Sequence, residues 1–495
     1  MSVTLEQNHA QIRPDPLWAQ VLQAADQGRA IRSHSAAVKP GDIFVALPGT
    51  REHGQHYIQE AVKRRAGYVV SCSKQYSLKA DSTVSVYHPY PALALGDLAA
   101  ARFKTKQHNF SLIGITGTNG KTTICYLLEY LLSQAGYRVG VLGTVNHRWP
   151  GETQEAVLTT PGCLEIHELL ARMQRQRVDV VCMEVSSHAL DQNRVAGLDF
   201  DLALFNNLSQ DHLDYHPSMQ DYYQAKAKLF TFKAFGRPRA VLNMDDVYGR
   251  DLAEKCPGAL GYGFNRAQST DDNFVRGWLQ YLGLQGLRLE IRYRHHHWHL
   301  QSRLPGRHNA YNLLAAQAGG LALGLRPECF LPLQEFEHIP GRLQRVSNNA
   351  GLNIFIDYAH TPDALANVLI ALQEMGFARV VVVFGCGGDR DKQKRPLMGQ
   401  AVAGHADLAV LTSDNPRHED PQQIMDQVLP GLKKCAEVLQ EPDRRQAIAQ
   451  ALERVTAKDA LLIAGKGHET YQQIGDRKLA FSDKQIVQEL LADNI

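Results

Sequence analysis

No Cys-x-x-Cys pair occurs in this sequence; its eight cysteines, Cys72, Cys125, Cys163, Cys182, Cys256, Cys329, Cys386 and Cys435, are scattered along 495 residues. That distribution fits neither a zinc framework nor a disulfide scaffold, and points to a reducing compartment. Nothing approaches the ~20 apolar residues that a membrane span requires, since the strongest apolar stretches, such as 379–384, are very short. Residues 1–15 are polar with no apolar centre, so they do not read as a signal peptide. Charge of one sign is also missing: 53 Lys and Arg are interspersed with 51 Asp and Glu, for a net charge of +2. A polyanion-binding surface, and with it a nucleic-acid partner, is therefore not expected. There is no internal repeat or low-complexity segment. What is left, 44% hydrophobic and 21% charged, is an ordinary soluble composition. A cytoplasmic monomer without membrane insertion is the expectation.

The chain is too long for one compact core, and about three domains are expected. Short β-branched runs alternate with helical patterns almost throughout, which reads as α/β with largely parallel sheets. Strands are expected at 42–47 and 67–71 around a helix at 58–65, then at 111–115, 178–182, 202–205 and 240–242. Alternating segments between 273 and 303 suggest antiparallel hairpins, followed by a helix at 310–323. Pro340-Gly341 reads as a linker. Beyond it, strands at 354–356, 380–383, 408–411 and 461–463 outline a third α/β unit of Rossmann-like pattern. The domains are placed at 1–104, 105–340 and 341–495.

The most informative string is Thr116-Gly-Thr-Asn-Gly-Lys-Thr122, set between a strand and an apolar-periodic helix at 122–134. Glycines let backbone N–H groups turn inward, the helix start adds donors, and a lysine supplies a point charge for phosphates. Gly117, Thr118, Asn119, Gly120, Lys121, Thr122 and Thr123 are thus candidates to bind ATP, with the Thr122 hydroxyl offered to Mg²⁺. Ile115 stands where the usual motif has its first glycine, so this is a shorter variant.

Other polar groups are ambiguous on their own. Glu184 follows a strand, at the sheet edge where ligands of α/β folds collect, and a carboxylate suits Mg²⁺; a plain surface acid reads equally. Asp211, His212, Asp214 and His216 fall within six residues. Lys226 by itself looks like a solvated helix lysine. Asn309 and Asn312 read as helix caps, and Asp414-Asn-Pro-Arg417 as an ordinary turn. The histidines between Arg294 and His299 would alternate between both faces of a strand, which is poor geometry for one metal ion.

Taken together, the strings resemble the Mur ligases. They are the Thr116–Thr122 loop, Glu184-Val-Ser-Ser-His188, Asn207-Leu-Ser-Gln-Asp-His-Leu-Asp-Tyr-His216, His308-Asn-Ala-Tyr-Asn312 and Asp357-Tyr-Ala-His-Thr-Pro362. Gly385-Cys-Gly-Gly-Asp-Arg-Asp391, Asp414-Asn-Pro-Arg417 and Gly465-Lys-Gly-His-Glu469 resemble, within the family, the members that add diaminopimelate. The resemblance spans essentially the whole chain. It implies ATP-dependent ligation of meso-2,6-diaminopimelate to UDP-N-acetylmuramoyl-L-alanyl-D-glutamate through an acyl phosphate, in peptidoglycan precursor synthesis. It also implies a UDP-binding first domain, an ATP-binding second and an amino-acid-binding third.

The same resemblance implies roles for single residues. Lys121, Glu184, His212 and Lys226 are catalytic, with Thr122, Glu184, His212 and Lys226 around magnesium and Lys226 carbamoylated. Asn309, Asn312, Arg342 and Asp357 join the phosphate loop in binding ATP. Ser33, Ser35, Thr50, Arg51 and Glu52, with Thr159, Thr160, Ser186, Gln192 and Arg194, contact the UDP precursor. Arg390, Asp414, Asn415, Pro416, Arg417, Gly465 and Glu469 form the diaminopimelate pocket. One departure is visible: His34-Ser35-Ala36 stands where the family commonly has Asp-Ser-Arg. The alternatives are a lysine-adding or other Mur ligase, folylpolyglutamate synthetase, an inactive scaffold or, from another class, a P-loop switch ATPase.

Overall fold

The computed structural model describes residues 15–49, 53–73, 83–265 and 272–492. Three sheets follow one another along the chain. The first contains β1 (Ile31–Arg32), β2 (Ile43–Val45), β3 (Tyr68–Ser71) and β4 (Val84–Tyr87), all parallel and in chain order. The helix Pro91–Phe103 packs beside it and leads into the second sheet.

That second sheet holds β5 (Ser111–Thr116), β6 (Val139–Leu142), β7 (Asn146–Trp149), β8 (Glu152–Glu155), β9 (Val180–Glu184) and β10 (Leu202–Phe205). It continues with β11 (Arg239–Asn243), β12 (Leu260–Gly263), β13 (Phe274–Gly283), β14 (Gly286–Tyr293) and β15 (His296–Ser302). The order β15-β14-β13-β12-β11-β10-β5-β9-β6-β7-β8 is parallel from β13 through β6 and antiparallel at both ends. The central strands are buried on both faces, which is why they read as continuous apolar runs. Successive residues point to opposite sides, so Ile113 and Ile115 join the helices Lys121–Gln134 and Arg307–Ala322 in one core. Leu112 joins Met183 and Phe205 in the other.

The third sheet is built from β16 (Gln344–Arg345), β17 (Asn353–Asp357), β18 (Val380–Phe384), β19 (Leu408–Leu411), β20 (Glu437–Gln440) and β21 (Ala460–Ala464). Its order is β16-β17-β21-β18-β19-β20, parallel except for β16. A separate antiparallel hairpin, β22 (Tyr471–Ile474) with β23 (Arg477–Ala480), comes next. The α/β class and the apolar strands agree with the sequence reading. The strands it lacked are of three kinds: β8, β20, β22 and β23 are polar and without buried residues, β7 is polar with every second residue buried, and β1, β4, β6, β12 and β16 are runs of only two to four residues, although β6 and β12 are fully buried.

This topology collects loops at two edges. β5 lies between β9 and β10, with Ile115 beside Glu184 and Thr116 beside Phe205, so the loops leaving these three strands meet at one carboxyl edge. In the third sheet, Asp357 pairs with Ala464 and Phe384 with Leu411, which brings the loops after β17, β18, β19 and β21 together. Among the described residues, no helix is long and apolar enough to cross a membrane.

Candidate active site

The phosphate loop leaves β5 and enters the helix Lys121–Gln134 at Gly120, whose φ of 85° suits glycine. A side chain at Gly120 would also lie 2.3 Å from both Asn206 Nδ2 and Asn312 Oδ1. Neighbouring loops pin the turn: Asn119 N donates to Asn207 Oδ1 at 2.9 Å, and Asn206 Nδ2 donates to Asn119 O at 3.0 Å. Lys121 Nζ folds back on the carbonyls of Gly117 and Thr118, both at 2.8 Å. Burial lowers its pKa, opposed by the nearby carboxylates of Glu184 and Asp211.

Glu184 ends β9 and is 1% exposed. Its carboxylate accepts from Thr122 Oγ1, Thr144 N and Thr144 Oγ1, each at 2.9 Å. Lys226, on the helix Met219–Thr231, is buried instead of solvated, and its Nζ donates to Gly117 O at 2.9 Å. Burial, followed by the charge of Lys121, pushes its pKa well down. Tyr222 organises this corner: its ring lies 4.6 Å from Lys226 Nζ and 5.9 Å from the His212 ring, and its hydroxyl meets Thr118 Oγ1 at 3.1 Å. Burial holds the His212 imidazole down at about 3, against the pull of Asp211, so its nitrogens are neutral at physiological pH.

The oxygen donors fit a magnesium ion: a buried carboxylate and a hydroxyl meet beside the phosphate loop, while the uncharged His212 imidazole lies against Tyr222, whose hydroxyl touches Thr118 of the same loop. A charged Lys226 would oppose such an ion, whereas an amine depleted of its proton can accept CO₂ and become an anionic carbamate.

Asn309 and Asn312 lie inside the helix Arg307–Ala322 and do not cap it. Asn312 Oδ1 accepts from Asn206 Nδ2 at 3.1 Å, and Asn312 Nδ2 donates to Asn309 Oδ1 at 3.1 Å, which joins them to the phosphate loop. Thr123 is buried on the helix that the loop enters. Arg342 comes from the third unit: its guanidinium lies 4.9 Å over the Tyr358 ring, and Nη2 donates to Thr122 Oγ1 at 3.1 Å. Asp357 accepts from Leu343 N at 2.6 Å and Ala359 N at 2.7 Å, joining the residue after Arg342 to the loop that carries Tyr358.

At the second edge, Arg417 has a left-handed φ of 52° and donates through Nη1 to Gly388 O at 2.7 Å. Arg390 is exposed beside it. Burial, then the charge of Arg390, lowers the pKa of Arg417. Gly465 has φ 113°, and a Cβ there would sit 2.5 Å from Asp414 Oδ2, so glycine is what lets that carboxylate turn inward. Asn415 Nδ2 donates to Glu469 Oε2 at 2.9 Å, while Pro416 carries the chain between Asn415 and Arg417. Burial and the neighbouring Asp414 raise the Glu469 carboxyl pKa.

Comparison with known proteins bears on the whole arrangement. Residues 115–319 match the Mur ligase middle domain, and residues 341–467 match the Mur ligase, glutamate ligase domain. The chain is similar to UDP-N-acetylmuramoyl-L-alanyl-D-glutamate--2,6-diaminopimelate ligase of Lawsonia intracellularis, with 50% identity over 96% of this chain and 98% of that one. The chain belongs to the Mur ligase family. The enzyme of the same name from Thermosynechococcus vestitus is 40% identical over 94% of each chain. A solved structure of UDP-N-acetylmuramoyl-L-alanyl-D-glutamate--2,6-diaminopimelate ligase, 31% identical, superposes with a TM-score of 0.65 over 94% of this Mur ligase and 95% of that one.

The residues expected at the UDP precursor divide into groups. Thr160 Oγ1 donates to Glu184 O at 2.8 Å and Arg194 Nη1 to Thr160 O at 3.0 Å; Gln192 Oε1 accepts from Arg194 Nη2 at 2.7 Å. Thr144 Oγ1 lies 3.1 Å from Thr159 Oγ1, and Thr160 Oγ1 3.3 Å from Ser186 Oγ. These five therefore form one network against Glu184. Ser33 and Ser35 belong to the first sheet's loops, and the Ser35 hydroxyl donates to Glu60 Oε2 at 2.7 Å. Thr50, Arg51 and Glu52 lie outside the described residues.

Several polar partners went unnoticed in the sequence. Thr144 holds Glu184, and Asp363 accepts from Asn119 Nδ2 at 2.8 Å and Ser209 Oγ at 2.7 Å, hooking the third unit to the phosphate loop. Thr144 is an unremarkable threonine locally. Asp363 carried a visible signal, as an acid in the first turn of the helix Pro362–Glu374 capped by Thr361.

Proposed function

We propose that the chain ligates meso-2,6-diaminopimelate to UDP-N-acetylmuramoyl-L-alanyl-D-glutamate, driven by ATP, in the cytoplasmic synthesis of a peptidoglycan precursor. The observation that carries this reading is the pairing of two sites. A phosphate loop flanked by Glu184, His212 and Lys226 stands at one edge, and Arg417 with Asp414 and Glu469 at the other. Relatives that match this chain over nearly their whole length carry that enzyme's name.

A carboxylate is a poor acyl donor because its leaving group is too basic. Transfer of the γ-phosphoryl of ATP makes an acyl phosphate, and attack by the amine then expels phosphate and forms the amide. Residues 105–340 bind and activate, with Lys121 drawn from the Gly117 and Thr118 carbonyls onto the phosphates. Magnesium, held by Glu184, His212, the Thr122 hydroxyl and a carbamoylated Lys226, would neutralise charge on the phosphates. Asn309, Asn312, Arg342 and Asp357 line the nucleotide side. Residues 1–104, with Thr159, Thr160, Ser186, Gln192 and Arg194, hold the UDP precursor. Residues 341–495 present the amine, with Arg390 and Arg417 on the distal carboxylate of diaminopimelate and Asp414 and Glu469 on its ammonium.

The test is ADP release with ATP, the UDP-dipeptide precursor and a panel of amino acids, with the product weighed by mass spectrometry. Release is expected only with the precursor and diaminopimelate together. ADP release independent of the amino acid, or a lysine adduct formed equally well, would remove this assignment.

A further inference from the structure

Lys466 is a buried lysine with no place in the scheme above. It sits in the loop after β21, flanked by Gly465 and Gly467, and is 0% exposed. Lysine is almost never that buried unless its charge is met. Its three N–H bonds are accounted for: Nζ donates to Tyr471 O at 2.8 Å and Asn415 Oδ1 at 2.9 Å, and reaches Glu469 Oε2 at 3.4 Å. Asp414 Oδ1 lies alongside at 3.5 Å. The lysine side chain is fully covered while those of Asp414 and Glu469 are 9% and 15% exposed, so the cation lies beneath and the carboxylates nearer the mouth.

We propose that Lys466 is a positioning residue of the amino-acid pocket, holding Asp414, Asn415 and Glu469 in the arrangement that receives the distal ammonium of diaminopimelate. The inference rests on the function proposed above. Two carboxylates facing one buried space repel each other, and burial with Asp414 already drives the Glu469 pKa up. A cation underneath offsets that repulsion and keeps charge available for an incoming ammonium. Lys466 also orients the Asn415 amide. Its oxygen accepts from Lys466 and from Gln473 N at 2.9 Å, which leaves the amide nitrogen to donate to Glu469. Lys466 thereby acts on substrate through three pocket residues without touching it.

The test compares Lys466→Met, which removes charge and donors, with Lys466→Gln, which keeps amide donors and tolerates burial better. KM for diaminopimelate, ATP and the UDP precursor is measured for each, beside a thermal melt. Loss of charge-assisted hydrogen bonds should raise KM for diaminopimelate by about 10- to 100-fold in Lys466→Met and less in Lys466→Gln, with KM for ATP within about twofold. An unchanged KM for diaminopimelate in either folded variant overturns the proposal, as does a parallel rise in all three KM values. If Lys466→Met does not fold, Lys466→Gln decides alone. Absence of diaminopimelate-dependent ADP release by the unaltered protein would instead sink the parent activity, and the Lys466 role with it.

Discussion

Gly117 offers one carbonyl to two lysines, Lys121 at 2.8 Å and Lys226 at 2.9 Å. Two ammonium groups converging on one acceptor repel, and Lys226, under burial and the charge of Lys121, is the one pushed well down. An amine without its proton is the nucleophile that CO₂ requires. Lys226→Ala should therefore lower activity about 100-fold, as loss of a metal-site group does, with partial recovery on adding formate or acetate; full activity without additive would end the carbamate idea. For Arg417→Ala, KM for diaminopimelate should rise about 10- to 100-fold with KM for ATP unchanged, since a charge-assisted contact to carboxylate is lost. Steady-state kinetics would show it. These residues differed in how legible they were. Lys121 announces itself by its glycines, whereas Lys226 looks solvated because the groups that bury it, Gly117 and Tyr222, lie outside its own helix turn.

The hairpin β22–β23 shows how an element without catalytic chemistry supports a pocket. Its backbone brackets the loop after β19: Arg417 N donates to Gln473 O at 3.1 Å, Gly475 N to Arg417 O at 2.7 Å, and Gln473 N to Asn415 Oδ1 at 2.9 Å. Gln473→Pro removes the last of these donors. The loss of about 1 kcal/mol should appear as a rise of about fivefold in KM for diaminopimelate, and an unchanged KM would show that the bracket is idle. β-branched runs such as Val380–Phe384 were readable because parallel strands bury both faces. Tyr-Gln-Gln-Ile and Arg-Lys-Leu-Ala were not, because partner-dependent hydrogen bonds leave no trace in composition. The loop after β19 likewise reads as a turn until β21 and the hairpin close around it.

Across the molecule, His167 ties the start of the second unit to the loop after β9: its Nδ1 meets Thr105 Oγ1 at 2.5 Å and its Nε2 meets Ala196 O at 2.9 Å. Both nitrogens are committed in the neutral ring, and burial lowers the pKa to about 4; burial does the same for His147. The unfolded chain takes up these protons near pH 6.5 and the folded chain only near 4. Stability is therefore intact above about pH 6.5 and falls as pH drops toward 4, by about 1.4 kcal/mol per pH unit for each histidine. Melting temperature against pH should show this decline, and His167→Gln, which keeps a donor and an acceptor, should make it shallower. An identical slope in the variant would assign the acid sensitivity elsewhere. The three hooks between the third unit and the second, Arg342 on Thr122 and Asp363 on Asn119 and Ser209, have a further consequence. Docked in this way, the third unit occupies Thr122 and Asn119, which the proposal above gives to the nucleotide, yet on that proposal only a docked unit can deliver an amine to the activated carboxylate. The substrates must then arrive in sequence, nucleotide before amino acid, so that a non-reactive diaminopimelate analogue inhibits uncompetitively against ATP.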